Sequence, residues 1–201
     1  MTSSVIDQPI KTSHSFLRTI INAENIILKK ILDDCVDVVA YKLVSRPTIM
    51  IYGKECHQPR DVAFFSNESR GYYYSGKLST ALPLDNPMKK LLAYANGYFK
   101  SSFNGILVNR YNDGCDSIGR HCDDERHCDT SVGVVALSHG AVRKLRIRDK
   151  KNGIIIKDIL MQPYQFIHMG GDFQKEFTHE IPRETKIKTM RYSFTFRKHS
   201  Y

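Results

Sequence analysis

Hydrophobic positions recur along this chain with two different periods, and the change falls near residue 100. From Ser15 to about Asp34, the apolar residues Leu17, Ile20, Ile21, Ile27, Leu28, Ile31 and Leu32 return at helical spacing. With Ser13 or Ser15 as cap, this predicts a core-packing helix. Tyr41–Leu43 and Thr48–Tyr52 read as extended, with Gly53-Lys54 as a turn and Pro59-Arg60 opening a loop. Gly71-Tyr72-Tyr73-Tyr74-Ser75-Gly76 is an aromatic stretch bounded by glycines. Asn86-Pro87 has the cap-plus-proline form of a helix start, and Gly97 is the expected stop.

Beyond Gly97 the period shortens to two. Gly105–Tyr111, Val132–Leu137, Lys144–Arg148, Ile154–Ile159, Phe166–Met169 and Met190–Phe196 are short runs rich in Val, Ile, Phe and Thr, separated by Gly, Asp and Asn. Many short strands between turn signals predict a sandwich or barrel. The expected fold is therefore α+β, mostly β. Residues 1–12 form a flexible N-terminus, 13–100 an N-terminal extension and 101–201 the β core, all within one compact domain.

Composition narrows the classes. Of 201 residues, 41% are hydrophobic and 25% charged, which fits a globular domain and excludes general disorder. No apolar run approaches the roughly 20 residues that span a bilayer, so no membrane association is expected. The N-terminus lacks the layout of a secretory signal, and five cysteines, an odd number, read as reduced thiols. An intracellular protein is predicted, with no motif that separates nucleus from cytoplasm, and a monomer is expected. The formal charge of +9 calls for an anionic partner, nucleic acid first. That charge is shared evenly, +4 before residue 101 and +5 after, which favours a surface built by both halves over a basic tail. The densest basic run is Arg143, Lys144, Arg146, Arg148, Lys150 and Lys151. Lys144, Arg146 and Arg148 share one strand face there, which reads as a solvated face or as a phosphate contact.

The chemistry concentrates in Asn109–Glu125. His121 and Asp123 stand two apart, so an extended segment aims imidazole and carboxylate to one side. A third ligand from a distant strand would complete the two-His, one-carboxylate face of non-haem Fe(II) oxygenases. Alone, H-x-D is more often a loop histidine beside a surface aspartate. Period two then places Arg191, Ser193, Thr195 and Arg197 on one face of a strand, backed by Tyr192, Phe194 and Phe196. The arginines there read as solvated groups or as a grip on a dicarboxylate. Asn109 and Tyr111 share a face that could join such a site. Cys115, His121, Cys122, His127 and Cys128 are dense enough to raise zinc, but their spacing forms no paired zinc motif.

The segments NRYNDGCDSIGRHCDDER and VVALSHGAVRKLRIR, a distal histidine and RYSFTFRK, in that order, resemble the AlkB family of Fe(II)/2-oxoglutarate dioxygenases. The nearest branch repairs alkylated duplex DNA, and the resemblance runs from about Ile49 to Lys198. It implies a double-stranded β-helix (jelly-roll) core with an N-terminal helical and β-hairpin lid for nucleotide recognition. It also implies His121, Asp123 and His179 as catalytic metal ligands and Arg191 as the partner of the far carboxylate of 2-oxoglutarate. Asn109, Tyr111, Ser193, Thr195 and Arg197 fall at further cosubstrate positions, with Ser193 where the family usually has Asn. On the substrate side it implies Tyr72 and Tyr74 beside the flipped base and Glu125 at the base edge. Arg60 falls near the DNA, and Ile51-Tyr52-Gly53 forms a finger that fills the gap left by the base. Ordinary packing is the competing reading of these tyrosines. The implied activity is oxidative demethylation of 1-methyladenine and 3-methylcytosine in DNA, using Fe(II), 2-oxoglutarate and O2 and releasing formaldehyde. RNA demethylation on the same fold is the runner-up, and an inactive nucleic-acid-binding module the third reading.

Overall fold

A computed structural model describes residues 5–22, 24–125 and 127–199. The elements run β1 (Val5–Lys11), β2 (Ser15–Ile21), α1 (Ile26–Val39), β3 (Thr48–Ile51), β4 (Lys54–His57), β5 (Asp61–Ser66), β6 (Gly71–Tyr74), β7 (Lys77–Thr80), α2 (Asn86–Phe99) and β8 (Gly105–Tyr111). They continue with β9 (Ile118–His121), β10 (Val134–Gly140), β11 (Arg143–Asp149), β12 (Ile155–Met161), β13 (Gln165–Gly171), α3 (Phe173–Glu176), β14 (Phe177–Ile181) and β15 (Arg191–Arg197). The major sheet has seven strands in the order β1-β2-β13-β10-β15-β8-β5, and the minor sheet four in the order β12-β11-β14-β9.

The two sheets face each other as a jelly roll. Leu17, Tyr111, Val134, Ile167 and Met169 of the major sheet pack with Ile118, Leu145, Ile147, Met161 and Ile181 of the minor one. The outer face of the major sheet is covered by α1 and α2, where Leu28, Leu32, Cys35, Val39, Met88, Leu91 and Ala95 meet Val108, Leu137, Phe166, Phe194 and Phe196. The buried stripe of α1 (28, 32, 35, 39) keeps one face inward, with Ile26 and Ile27 left exposed.

The structure differs from the sequence expectations at five points. The helix over 15–34 is in fact a strand followed by a helix. Ser15, Leu17 and Thr19 are buried alternately in β2, which pairs along its length with β13. The helix starts only after Asn25, whose side chain accepts the Leu28 N–H at 2.9 Å. Apolar residues three and four apart fit either period over seven residues, and pairing with β13 decides. Residues 5–11 of the expected loose terminus form β1, paired with β2, while residues 1–4 lie outside the described residues. In α2 the cap is Asp85 rather than Asn86, and the helix passes Gly97 to end on Lys100 in the left-handed conformation, φ 50°. Tyr41–Leu43 lies in the turn after α1 rather than in a strand. Strand membership also crosses residue 100, since β1, β2 and β5 belong to the major sheet.

His168 on β13 lies edge-on to Phe16 (5.0 Å) and Phe99 (5.2 Å), and burial, aided by Arg18, pushes its pKa down to about 4. The folded state therefore keeps it neutral while an unfolded chain protonates it near 6.5. Its contribution is stability that is lost as pH falls from about 6.5 toward 4. Urea midpoints measured across that window should fall less steeply for His168→Leu than for the wild type.

Candidate active site

The two sheets enclose a partly open cavity of about 50 Å³. Strand alternation points Leu107, Asn109 and Tyr111 of β8 and Arg191, Ser193, Thr195 and Arg197 of β15 into it, as the period-two reading expected. Tyr192, Phe194 and Phe196 point the other way into the helix-covered core.

At one end of the cavity, β9 and β14 pair with His121 directly opposite His179. The chain bends after β9 and returns Asp123 to the same point. Donor atoms of His121, Asp123 and His179 all lie within 4.8 Å of one another. His121 Nε2 is 3.7 Å from Asp123 Oδ1, and His179 Nε2 is 3.4 Å from Asp123 Oδ2. The Gly119 carbonyl lies 2.9 Å from His121 Nδ1, and a carbonyl can only accept. Nδ1 therefore carries the proton and Nε2 presents its lone pair to the centre. Burial, with His179 beside it, pushes the His121 pKa down to about 3, so the ring is neutral at physiological pH. Burial alone would raise the Asp123 pKa, but Arg197 and the two histidines outweigh it and hold the carboxyl well below the usual range. Two imidazoles and an ionised carboxylate on one face, open to a cavity, are the donor set that suits Fe(II).

Arg191 is the second decisive feature. It is buried, with 2% of its surface exposed, and lies over the Tyr111 ring at 5.3 Å. Nη2 donates to Ser138 Oγ at 2.7 Å, whereas Nε and Nη1 are buried without a hydrogen-bond partner among the described residues. A buried guanidinium with two nitrogens unpartnered in a cavity fits an anion with two oxygens, such as the far carboxylate of 2-oxoglutarate.

Arg197 stands differently. Nη2 donates to Asp123 Oδ1 at 2.6 Å and Nη1 donates to Glu125, so it bridges the two carboxylates. Burial raises the Glu125 pKa even against Arg197. Arg197 also lies over the Tyr72 ring at 4.8 Å. Tyr72 is buried and stacks on half-buried Tyr74 at 5.8 Å. Arg60 lies next to these rings, with its Cζ 5.5 Å from the Tyr74 ring and Nε donating to Asn109 Oδ1 at 2.8 Å. Ser193 lines the cavity directly opposite Asn109 in the β15–β8 pairing.

Tyr52 sits apart, at the tip of the β3–β4 hairpin. Tyr52 (φ 48°) and Gly53 (φ 75°) form its two-residue turn, and both need the left-handed region that glycine adopts freely. A tyrosine held there, wholly exposed beside exposed Met50 and Ile51, gains nothing from packing.

The basic reading changes. Arg60 is 2% exposed, and its Nε donates to Oδ1 of the cavity-lining Asn109. Arg143 is buried too, donating to the carbonyls of Asp113, Asp116 and Pro182, each at 2.8 Å. Arg146 pairs with Asp158, Arg148 with Glu180 and Lys150 with Asp124. β11 runs between β12 and β14, whose acidic residues neutralise it.

Two polar residues escaped the sequence reading. Ser138 accepts the hydrogen bond of Arg191 through Oγ, and Gln174 accepts the Asp123 N–H at 2.9 Å through Oε1. Ser138 shares its strand face with Val134 and Ala136, so alternation could have placed it in the cavity. Nothing in the sequence around α3 marks Gln174.

The sequence profile of the 2OG-Fe(II) oxygenase superfamily matches residues 23–197. The chain is 26% identical over 167 residues to the human DNA oxidative demethylase ALKBH2, covering 80% of this chain and 64% of that protein. It is 31% identical over 104 residues to the rat alpha-ketoglutarate-dependent dioxygenase alkB homolog 3, covering 48% of this chain and 35% of that one. Across four ALKBH2 relatives the chain spans 57–74% of their length. A solved structure titled "The structure of OsALKBH1" superposes with a TM-score of 0.57 at 16% identity, over 96% of this chain and 100% of that one, which is a likeness of fold.

Proposed function

This chain belongs to the 2OG-Fe(II) oxygenase superfamily, and from that premise we propose that it is an oxidative demethylase of N-alkylated DNA bases, 1-methyladenine and 3-methylcytosine. The observation that carries the reading is the cavity itself. It joins a His-Asp-His face to a buried, half-unpartnered arginine and opens beside two stacked tyrosines. The ALKBH2 relatives, named as DNA oxidative demethylases, support the choice of substrate.

On this reading His121, Asp123 and His179 hold Fe(II). Arg191, supported by Ser138 and Tyr111, takes the far carboxylate of 2-oxoglutarate, and Asn109, Ser193 and Thr195 line the same cavity. When bound, Fe(II) with 2-oxoglutarate and O2 supplies the oxidising chemistry that hydroxylates an N-methyl carbon. The hydroxymethyl group then leaves as formaldehyde, with succinate and CO2 as coproducts. The protein's part is alignment. Arg197 keeps Asp123 ionised and oriented. Tyr74, backed by the buried Tyr72 ring, offers a ring face to an extruded base, and Glu125, held by Arg197, offers an acceptor to its edge. Extrusion is required because the methyl group is shielded inside a duplex, and a lesion that has already weakened pairing lowers the cost.

The exposed Met50-Ile51-Tyr52 tip favours duplex DNA, since a wedge matters only where a base leaves a gap. Tyr52→Ala should leave thermal stability unchanged, because the ring packs on nothing. Stacking is worth about 1–3 kcal/mol per base, roughly 5- to 150-fold, so activity on methylated duplex should fall by that order while activity on single strands holds. Mass spectrometry of the base after incubation with duplex DNA, single-stranded DNA and RNA reads this directly. Robust turnover on RNA alone would replace the proposal with RNA demethylation.

A further inference from the structure

Apart from the His121–Asp123–His179 face, one other group among the described residues brings metal-binding donors together. Donor atoms of Glu125, Cys128 and His199 lie within 4.8 Å of one another. The cysteine-rich segment showed no zinc spacing in sequence because the histidine comes from the other end of the core. The main chain fixes this meeting. Cys128 and His199 form an isolated antiparallel bridge, and the Asp129 N–H donates to the Lys198 carbonyl at 2.8 Å. His199 is buried and stacked on Phe64 at 4.9 Å, with Nδ1 3.2 Å from Ser69 Oγ. That arrangement turns Nε2 toward Glu125 Oε1, 3.9 Å away. An imidazole pinned through one nitrogen with the other aimed at an anionic group is how metal-binding histidines are held.

The donors are one sulfur, one nitrogen and one oxygen. Burial pushes the Cys128 thiol pKa up to about 12, so an ion must displace its proton on binding. The resulting thiolate and a carboxylate match a dication in charge, and sulfur selects the zinc class over magnesium or calcium. Arg197 competes for Glu125, but it also holds Asp123 at 2.6 Å and stays partnered when Glu125 turns away. We propose that Glu125, Cys128 and His199 form a second divalent-cation site for a thiophilic ion of the zinc class, separate from the iron centre. An ion there draws Glu125 off Arg197. On the function proposed above, it also draws Glu125 off the base edge, so the ion inhibits demethylation without entering the iron centre. That regulatory half rests on the proposed function, whereas binding of the ion does not.

Cobalt titration of the metal-free protein separates the sites. The wild type should bind two Co²⁺ per chain and develop an intense near-ultraviolet thiolate-to-cobalt band. Cys128→Ser should keep one ion and lose the band, and His179→Ala should keep the band. Cys122→Ser, which removes the thiol beside the iron ligands, should change nothing. A wild type with no band, a band that survives Cys128→Ser, or one lost with Cys122→Ser overturns the site. In the demethylation assay with Fe(II) held constant, the zinc inhibition midpoint should rise by roughly 10-fold or more in Cys128→Ser, and equal midpoints overturn the regulatory half. Absence of demethylation altogether would count against the proposed function and leave the cobalt result standing.

Discussion

His179→Ala is expected to abolish Fe(II)-dependent decarboxylation of 2-oxoglutarate while leaving the fold intact. His179 stands opposite His121 in the β14–β9 pairing and supplies one of the three donors that meet on the face among the described residues. Loss of a partner behind a metal ligand typically costs 10–100-fold in affinity or activity, and loss of the ligand itself should exceed that. The side chain is buried, but β14 keeps its main-chain bonds to β11 and β9, so circular dichroism and the unfolding midpoint should change little. Iron retention after desalting and succinate formation measure the effect. Succinate production by the variant at more than a few hundredths of the wild-type rate would remove His179 from the ligand set.

Arg191→Leu should separate function from stability. In the wild type the buried guanidinium donates through Nη2 to Ser138, while Nε and Nη1 have no hydrogen-bond partner among the described residues. Burial lowers its pKa, which is the signature of a cation held where water cannot reach it. Hydrogen bonds to charged groups contribute about 1.5–3 kcal/mol, so the KM for 2-oxoglutarate should rise roughly 10- to 150-fold. Replacing an uncompensated buried charge with an apolar side chain is often neutral or stabilising. The variant without cosubstrate should therefore melt no lower than the wild type. Adding 2-oxoglutarate should raise the wild-type Tm by mass action and leave the variant's unchanged. A variant that melts lower and still responds to 2-oxoglutarate would show that Arg191 is structural.

The parts of this protein that were legible in sequence are those where one strand carries its own instructions. Alternation along 191–197 assigned the four polar residues of β15 to one side and its three aromatics to the other, and both faces are found as read. The β8 face of Asn109 and Tyr111 was equally direct, because a side chain's direction on a strand follows from parity alone. The two strands that carry the candidate metal-ligating histidines, β9 and β14, do not stand out as strands in the sequence. They are short, four and five residues, and polar, since their inner face serves the site rather than the core. His121 and His179 were placed by motif resemblance, and their juxtaposition became visible only in the pairing.

Charge was the least legible property. The same arginine is a surface cation, a structural clamp or a ligand for substrate depending on what faces it, and sequence does not say what faces it. Arg143 clamps three carbonyls, Arg60 holds Asn109, Arg197 bridges Asp123 and Glu125, and Arg191 alone of these lacks both carboxylate and carbonyl partners. By itself, then, the sequence determined the β core, the alternating site strand and the ordered ligand types, because these depend on local periodicity and residue chemistry. Only the tertiary structure decided that residues 15–21 are a strand, which arginine remains open to an anion, and that Cys128 meets His199. Each of these depends on which distant backbone lies alongside, and long-range pairing is set by burial of the whole sheet rather than by any one segment.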